Sequence, residues 1–204
     1  MLITSGPTWV AVDSMRVISN RSSGRMGKAL ANELKKTGAK ITLLEGPVTY
    51  RMQIKGVAIR QFKYYDELAS LLRQELKNNY AVVVHAAAVS DYRLKKIFSK
   101  KISSRLSSLK LGLVPTKKLI NEIKRIDPKT FLVGFKLEAV WNKNSLFKKT
   151  RDLFKKAHCD LVVANQIGNK SYQGILIDQT QVLAQAPDRK TISKHLVEAI
   201  KERL

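Results

Sequence analysis

Three blocks of this 204-residue chain combine residue types that could hold a charged ligand. The first runs Ser5-Gly6-Pro7-Thr8, then Asp13 and Arg16, then Ser19-Asn20-Arg21-Ser22-Ser23-Gly24-Arg25-Met26-Gly27. Gly, Ser and Asn at a helix start can aim several backbone N–H groups at an anion, with the helix dipole in support. Arg16, Arg21 and Arg25 add guanidinium donors able to grip phosphate in bidentate fashion. A capped helix after a flexible loop is the plain alternative. The block is not a P-loop, and Gly6, Gly24 and Gly27 stand too far apart for a dinucleotide fingerprint. The second block is Ala86-Ala87-Ala88-Val89-Ser90-Asp91-Tyr92-Arg93. Small residues at a strand end let a flat ring approach the backbone. Asp91 could accept a hydrogen bond from a base amino group or help hold a cation, and capping a helix is its competing role. The third block, residues 93 to 125, holds eleven Lys or Arg and one acid, Glu122. Such a run is usually a solvated face, but here it directly follows a loop that faces the ligand, which points to phosphate recognition.

Other residues with chemical potential form no constellation. His85, His158 and His195 are too scattered for a metal-ligand pattern, so structural roles are expected of them. Cys159 is a lone thiol beside an apolar strand and reads as a small buried hydrophobe. Trp9 and Trp141 fall in loops, where they either line a site or cover core. No Ser/His/Asp or Cys/His nucleophile arrangement is visible.

The elements that must position these blocks follow from periodicity. Leu2-Ile3-Thr4, Ile41 to Leu44, Val57 to Gln61, Ala81 to Ala88, Thr130 to Phe135 and Leu161 to Ala164 are short apolar runs. The last three are continuously apolar, as strands buried on both faces of a parallel sheet are. Between them lie segments of helical period: Ser23 to Thr37 ended by Gly38, Asp66 to Asn78, Lys117 to Arg125 and Ser145 to Ala157. Leu109 to Val114 alternates and reads as an edge or dimer strand. Gly174 to Asp178 and Gln181 to Ala186 form a hairpin by spacing, and Thr191 to Arg203 closes as a helix. The expected fold is α/β: a doubly wound, mostly parallel Rossmann-like sheet with helices on both faces and a C-terminal hairpin extension, in one domain over residues 1–204. Ligands of such folds sit beyond the carboxyl ends of the strands, where the loops after Thr4, Ala86, Phe135 and Ala164 lie.

Composition narrows the classes. The formal net charge is +22, from 38 Lys or Arg against 16 Asp or Glu, with 44% hydrophobic residues. That apolar content argues against a disordered basic tail. The charge raises nucleic acid, a membrane surface or phosphorylated small molecules as partners. No apolar stretch reaches the length of roughly 20 residues that a membrane helix needs, and the start MLITSGPT lacks a basic leader region. A cytoplasmic protein that does not engage membranes is expected.

In order along the chain, four blocks resemble the phosphopantothenate–cysteine ligase family: ITSGPT…D…R…ISNRSSGRMG (Ile3 to Gly27), AAAVSDY (Ala86 to Tyr92) with KISS (Lys101 to Ser104), VGFKLE (Val133 to Glu138) and DLVVAN (Asp160 to Asn165). SKHLVEAI echoes the family's closing helix. The resemblance covers nearly the whole chain and implies a reaction in two steps. The carboxylate of 4′-phosphopantothenate attacks the α-phosphate of a nucleoside triphosphate, giving an acyl-nucleotidylate and pyrophosphate. The amino group of L-cysteine then displaces the nucleoside monophosphate, giving phosphopantothenoylcysteine for coenzyme A biosynthesis. Such chemistry needs charge neutralisation, alignment and donors for the developing oxyanion, and no protein nucleophile.

The resemblance also implies roles. Asn20 matches an asparagine that contacts the acyl group of the intermediate, and Lys101 a lysine that neutralises triphosphate charge. Ala86, Ala87, Ala88 and Asp91 match the wall for the base and cation, with Asp91 a candidate contact for Mg²⁺. Phe135 matches an aromatic beside the nucleotide, Lys117 and Lys118 a nucleotide-contacting helix start, and Lys155 and Lys156 the lysines before the DLVVAN strand, where Ala157 stands at one expected position. Gly6, Arg16, Arg21, Ser22, Ser23 and Gly24 match the substrate-binding loop, Arg16 across a homodimer interface. Mg²⁺ with CTP or ATP is expected and flavin is not. KISS, VPTKK and GFKLEA depart from the KIKK, NPDI and GFAAET of many bacterial members, which leaves CTP and ATP both open. A separate phosphopantothenoylcysteine decarboxylase is the expected partner, because the chain begins at the first strand. Two rivals remain. An NAD(P)-dependent oxidoreductase needs a compact glycine triad, which is missing, and an acid ending the second strand, which Glu45 supplies. A nucleic-acid-binding module would account for the charge but needs stacking aromatics among the cations, and aromatics are 7%; no nucleic-acid partner is expected.

Overall fold

The computed structural model describes residues 1–48, 53–138, 143–167 and 172–204; Trp141 lies outside them. Six parallel strands form the centre of one sheet: β1 (Leu2–Ser5), β4 (Ile41–Glu45), β5 (Val57–Gln61), β6 (Val82–His85), β9 (Phe131–Glu138) and β10 (Leu161–Ile167). Their order is β5-β4-β1-β6-β9-β10, so chain progression runs outward in both directions from the β1/β6 pair. β11 (Tyr172–Ile177) and β12 (Val182–Ala186) add to the β10 edge as an antiparallel hairpin. The expected doubly wound architecture with its C-terminal hairpin is the observed one.

Valine and leucine runs make these strands because both faces are covered. α1 (Arg25–Lys35) and α5 (Arg189–Lys201) pack on one face, where Leu30, Leu34, Ile192 and Leu196 meet Ile3, Val84 and Val163. α2 (Tyr65–Glu75), α3 (Ile120–Ile126) and α4 (Lys143–Lys155) cover the other, where Leu68, Ile123 and Phe154 meet Leu2, Val83 and Val162. α5 is capped as its sequence suggests: the Asp188 carboxylate accepts the Thr191 N–H at 2.9 Å.

Two short antiparallel ribbons escape the periodicity argument. β2 (Trp9–Ala11) pairs with β3 (Val17–Ser19), and β7 (Tyr92–Leu94) pairs with β8 (Leu113–Pro115). The alternating segment 109–114 is therefore a strand only from Leu113, against Tyr92–Leu94 and not at the edge of the main sheet. Of the alternating leucines only Leu111 is covered, packed against a small satellite core of Val10, Val12, Leu94 and Ile102, while Leu109 and Leu113 are exposed. Strand β6 ends at His85, which frees Ala86–Ala88 as loop, and α3 begins at Ile120, so Lys117 and Lys118 precede it.

The first turn of α1 presses onto the end of β1. A Cβ on Gly27 would stand 2.3 Å from Ser5 Oγ, and Gly24 adopts φ 69° at the N-cap, a left-handed conformation that favours glycine. The Ser5 hydroxyl closes the contact by donating to the Gly24 carbonyl at 3.1 Å. Overpacking of this kind costs about 1–3 kcal/mol, so Gly27→Val should lower the urea midpoint correspondingly with the denaturant slope unchanged. A variant as stable as the parent would contradict the close approach.

Candidate active site at the strand switch point

A large concave feature lies where the strand order reverses, beyond the carboxyl ends of β1, β6, β9 and β10, where doubly wound sheets bind ligands. It is a cavity of about 810 Å³. One wall is the loop Asn20–Gly24 with the first turn of α1; another is Ala86–Val89 with Asp91; Phe135 and Asn165 come from β9 and β10. Seven Lys or Arg face it (Arg21, Arg25, Lys118, Lys136, Lys149, Lys156, Arg189) against two carboxylates, Asp91 and Asp152. Gly24 offers no side chain to cap α1, so the helix presents its positive end without a protein cap at the edge of this cavity.

Hydrogen bonds register the two walls. Both donations from the Asn20 amide go across the gap, to the Ala88 carbonyl at 3.2 Å and the Val89 carbonyl at 3.3 Å. Beyond β1 the chain continues alongside the second loop: Ala88 N–H donates to the Gly6 carbonyl at 2.8 Å, and Thr8 N–H to the Ala88 carbonyl at 3.3 Å. Gly6 takes φ 80° here. The Asp91 carboxylate is ion-paired with Lys118, and Asp152 with Lys156 at 3.0 Å.

Asn20, Arg21, Ser22, Ser23, Gly24, Ala86, Ala87, Ala88, Asp91, Lys118, Phe135 and Lys156 thus meet around one cavity. Five expected residues do not line it. Gly6 lies behind the second loop as its backbone partner. The Lys117 carbonyl accepts from the Tyr65 hydroxyl at 2.9 Å. Lys155 faces a second cavity of about 550 Å³ with Phe147, Lys148, Arg151, Phe154 and Gln179, on the neighbouring stripe of α4. Arg16 is held away by Asp13, whose buried carboxylate takes its guanidinium at 2.7 Å and the backbone N–H groups of Met15, Arg16 and Ile102 at 2.8, 2.8 and 2.9 Å. Lys101, exposed, neighbours that staple through Ile102. The N–H of Ile102 above all, then those of Met15 and Arg16 and the Arg16 charge, holds Asp13 down at about 2 against the opposing effect of burial.

Several lining residues lay outside the sequence expectations. Asn165 ends a quoted block, but β10 runs on past the expected end at Ala164 to Ile167, so Asn165 lies within the strand, and its Oδ1 is buried with no hydrogen-bond partner. Arg189 reaches the cavity from α5 and stacks 4.4 Å over the Tyr172 ring; only the hairpin's placement of α5 beside α1 brings it there. Lys136 and Lys149 share Glu138, at 3.3 and 2.8 Å. His85, expected to be purely structural, lines the cavity. Trp9 does not; its ring meets Tyr64 edge-on at 6.3 Å. Cys159 is buried, and burial pushes its thiol up to about 12. Among the described residues no group of His, Cys, Asp and Glu could hold a metal by itself. Glu45 does end the second core strand, but its carboxylate is buried against Lys28 at 3.3 Å, which removes the ribose-binding acid of the oxidoreductase rival.

Burial lowers the His85 pKa from 6.5 to about 4. The unfolded chain then binds a proton between those values that the folded chain refuses. The resulting stability is complete above pH 6.5 and is lost as pH falls toward 4, about 3 kcal/mol in all. Asp13 acts lower, its contribution lost as pH falls below 3.8 toward 2. Urea midpoints should therefore drop between pH 7 and 4.5, and His85→Asn should flatten that part of the profile; a parent protein with a level profile would contradict the burial of an uncharged imidazole.

Comparison with known proteins agrees with this geometry. A family model described as the DNA/pantothenate metabolism flavoprotein C-terminal domain matches residues 1–203. The Coenzyme A biosynthesis bifunctional protein CoaBC of Thermococcus kodakarensis is 36% identical over 181 residues, 87% of this chain and 44% of that protein. The chain spans less than half the length of such curated relatives. The DNA/Pantothenate Metabolism Flavoprotein from Streptococcus pneumoniae superimposes with a TM-score of 0.89 at 26% identity, covering 100% of this chain and 98% of that one. A Cab2 mutant, H337A, in complex with phosphopantothenate-cysteine shares the fold at a TM-score of 0.79 and 17% identity, over 99% of this chain and 85% of that one. With nearly its whole length matched, the chain belongs to the family of DNA/pantothenate metabolism flavoprotein C-terminal domains.

Proposed function

We propose that this domain joins L-cysteine to 4′-phosphopantothenate through an acyl-nucleotidylate, as a phosphopantothenate–cysteine ligase of coenzyme A biosynthesis. The observation that carries the reading is the single cavity in which the Asn20–Gly24 loop, the Ala86–Asp91 wall and Phe135 converge under seven cations. Two anionic reactants, a triphosphate and a phosphorylated carboxylic acid, repel each other in water. A cavity with this cation excess lets them approach, and fixed walls hold them in line. The relative described as a coenzyme A biosynthesis protein and the fold-mate bound to phosphopantothenate-cysteine support the same chemistry.

The roles divide by position. The base lies on the Ala86–Ala88 backbone, where methyl groups permit close approach, with Phe135 across from it. Asp91 offers an acceptor once Lys118 turns to phosphate. The first turn of α1, with Arg21 and Arg25, faces phosphate. Asn20, tied to the opposite wall, is placed to contact the acyl group. Acyl transfer goes directly between the substrates, and the buried thiol of Cys159 takes no part in it. Asp91 is the carboxylate that would hold Mg²⁺ brought in with the triphosphate, and the ion would supply charge neutralisation. Lys101 and Arg16, outside the cavity of this chain, act from a loop that closes or from a second copy in a homodimer. The nucleotide is CTP or ATP, and the enzyme works in the cytoplasm ahead of a phosphopantothenoylcysteine decarboxylase.

Purified protein given phosphopantothenate, L-cysteine and Mg²⁺ should release pyrophosphate with CTP or ATP, assayed in parallel. Silence with all four common nucleoside triphosphates would overturn the proposal. Asn20→Asp should stay folded and accumulate the acyl-nucleotidylate, detectable by mass spectrometry; parent-like turnover in that variant would remove Asn20 from its role.

A further inference from the structure

His85 is the buried titratable group of the cavity that the proposed reaction does not use. It ends β6 and stands in register with Thr4 of β1. Its ring is 7% exposed and immediately precedes the Ala86–Val89 wall. That wall is tied to β1 and its continuation by a ladder. Ala86 N–H donates to the Thr4 carbonyl at 3.1 Å, Ala88 N–H to the Gly6 carbonyl at 2.8 Å, and Ser90 N–H to the Thr8 hydroxyl at 2.9 Å. The Ala87 rung also uses a side chain: its N–H donates to the Thr4 hydroxyl at 3.1 Å. A hydroxyl rotates freely, so its oxygen holds a fixed acceptor direction only when its own hydrogen is committed elsewhere.

His85 Nδ1, 3.0 Å from Thr4 Oγ1, supplies that commitment. Counting protons sets the direction. Thr4 is fully buried, and its oxygen already receives the Ala87 N–H. Were Nδ1 protonated, the oxygen would face two donors and its own hydrogen would be left without an acceptor, a costly arrangement in the interior. Nδ1 therefore accepts from Thr4, and the ring proton sits on Nε2. Burial holds the imidazole uncharged down to about pH 4, so the arrangement persists at working pH. An apolar residue in this strand position would fill the same space and leave the Thr4 hydroxyl unguided.

We propose that His85 is a positioning residue for nucleotide binding: its Nδ1 orients the Thr4 hydroxyl, the hydroxyl holds the Ala87 N–H, and the Ala86–Val89 wall is thereby fixed at the depth against which the nucleotide lies. The identity of the ligand rests on the ligase reading above; the relay does not. His85→Leu keeps volume and removes the acceptor, and Thr4→Val does the same to the hydroxyl. Each should raise the nucleotide KM about tenfold, the effect of one buried hydrogen bond, with kcat and the KM values for phosphopantothenate and L-cysteine within about twofold of the parent. His85→Asn, whose side-chain oxygen stands where Nδ1 stood, should restore the nucleotide KM. The double variant should be no worse than Thr4→Val alone, because both changes cut one relay.

Amide hydrogen exchange at Ala87 reads the relay without any turnover. Its protection should fall in His85→Leu and Thr4→Val and return in His85→Asn, while Ala88 protection stays. Unchanged Ala87 protection in His85→Leu overturns the proposal whether or not the protein is a ligase. So does an equal rise in all three KM values, or additive effects in the double variant. If the parent is silent with every nucleotide while Ala87 exchange responds as described, the ligase reading falls and the relay stands.

Discussion

The site depends on how closely the first turn of α1 approaches the end of β1. Gly27 and Gly24 allow contact at a distance where any side chain would collide with Ser5 or Val48. That contact brings the uncapped helix end to the cavity rim and sets the Asn20–Gly24 loop opposite Ala86–Val89. Asn20 can then bridge to Ala88 and Val89. Were α1 displaced outward by a single methylene, its first-turn amides, the bridging amide and the second wall would lose their common reference. The parallel pairing of β1 with β6 completes the frame, because it places Thr4 beside His85.

Charge has two roles here. Seven cations face the cavity, against two carboxylates. Much of the remaining surplus lies on exposed faces, such as Lys35–Lys36 and Lys148, where solvent screens it. A positive field of this kind raises the local concentration of anions. Internal pairs such as Lys28–Glu45 follow the opposite rule, each burying a charge only with its complement.

Most of the architecture was legible in the sequence because strands buried on both faces must be apolar throughout, and AVVVHAAA, TFLVGF and LVVA could be little else. The loops rich in Gly, Ser and Asn were legible for the same kind of reason, since their composition only makes sense near backbone or ligand. Less legible were features decided by tertiary proximity. Arg189 belongs to the cavity because a hairpin carries α5 back beside α1, which no local pattern encodes. Segment 109–114 alternates, yet only its end pairs, and of its leucines only Leu111 packs on the satellite core of Val10, Leu94 and Ile102 while Leu109 and Leu113 stay exposed. His85 read as structural by its isolation, and its partner Thr4 lies 81 residues away. Arg16 and Lys101 stand outside the cavity, on two segments that Asp13 ties together through Arg16 and Ile102.

α4 and the residue after it divide two hollows. Lys149, Asp152, Leu153 and Lys156 face the large cavity, while Phe147, Lys148, Arg151, Phe154 and Lys155 face the smaller one. Neighbours in the chain, Lys155 and Lys156, therefore serve different surfaces, being about 100° apart around the axis. Which lysine faces the large cavity is a matter of helical phase rather than of composition. A one-residue insertion early in α4 would leave its amino-acid content almost untouched and bring Lys155 to the phase of Lys156, ammonium for ammonium, but Arg151 to the phase of Asp152, so the length of this helix decides whether a carboxylate or a guanidinium stands at that place in the large cavity.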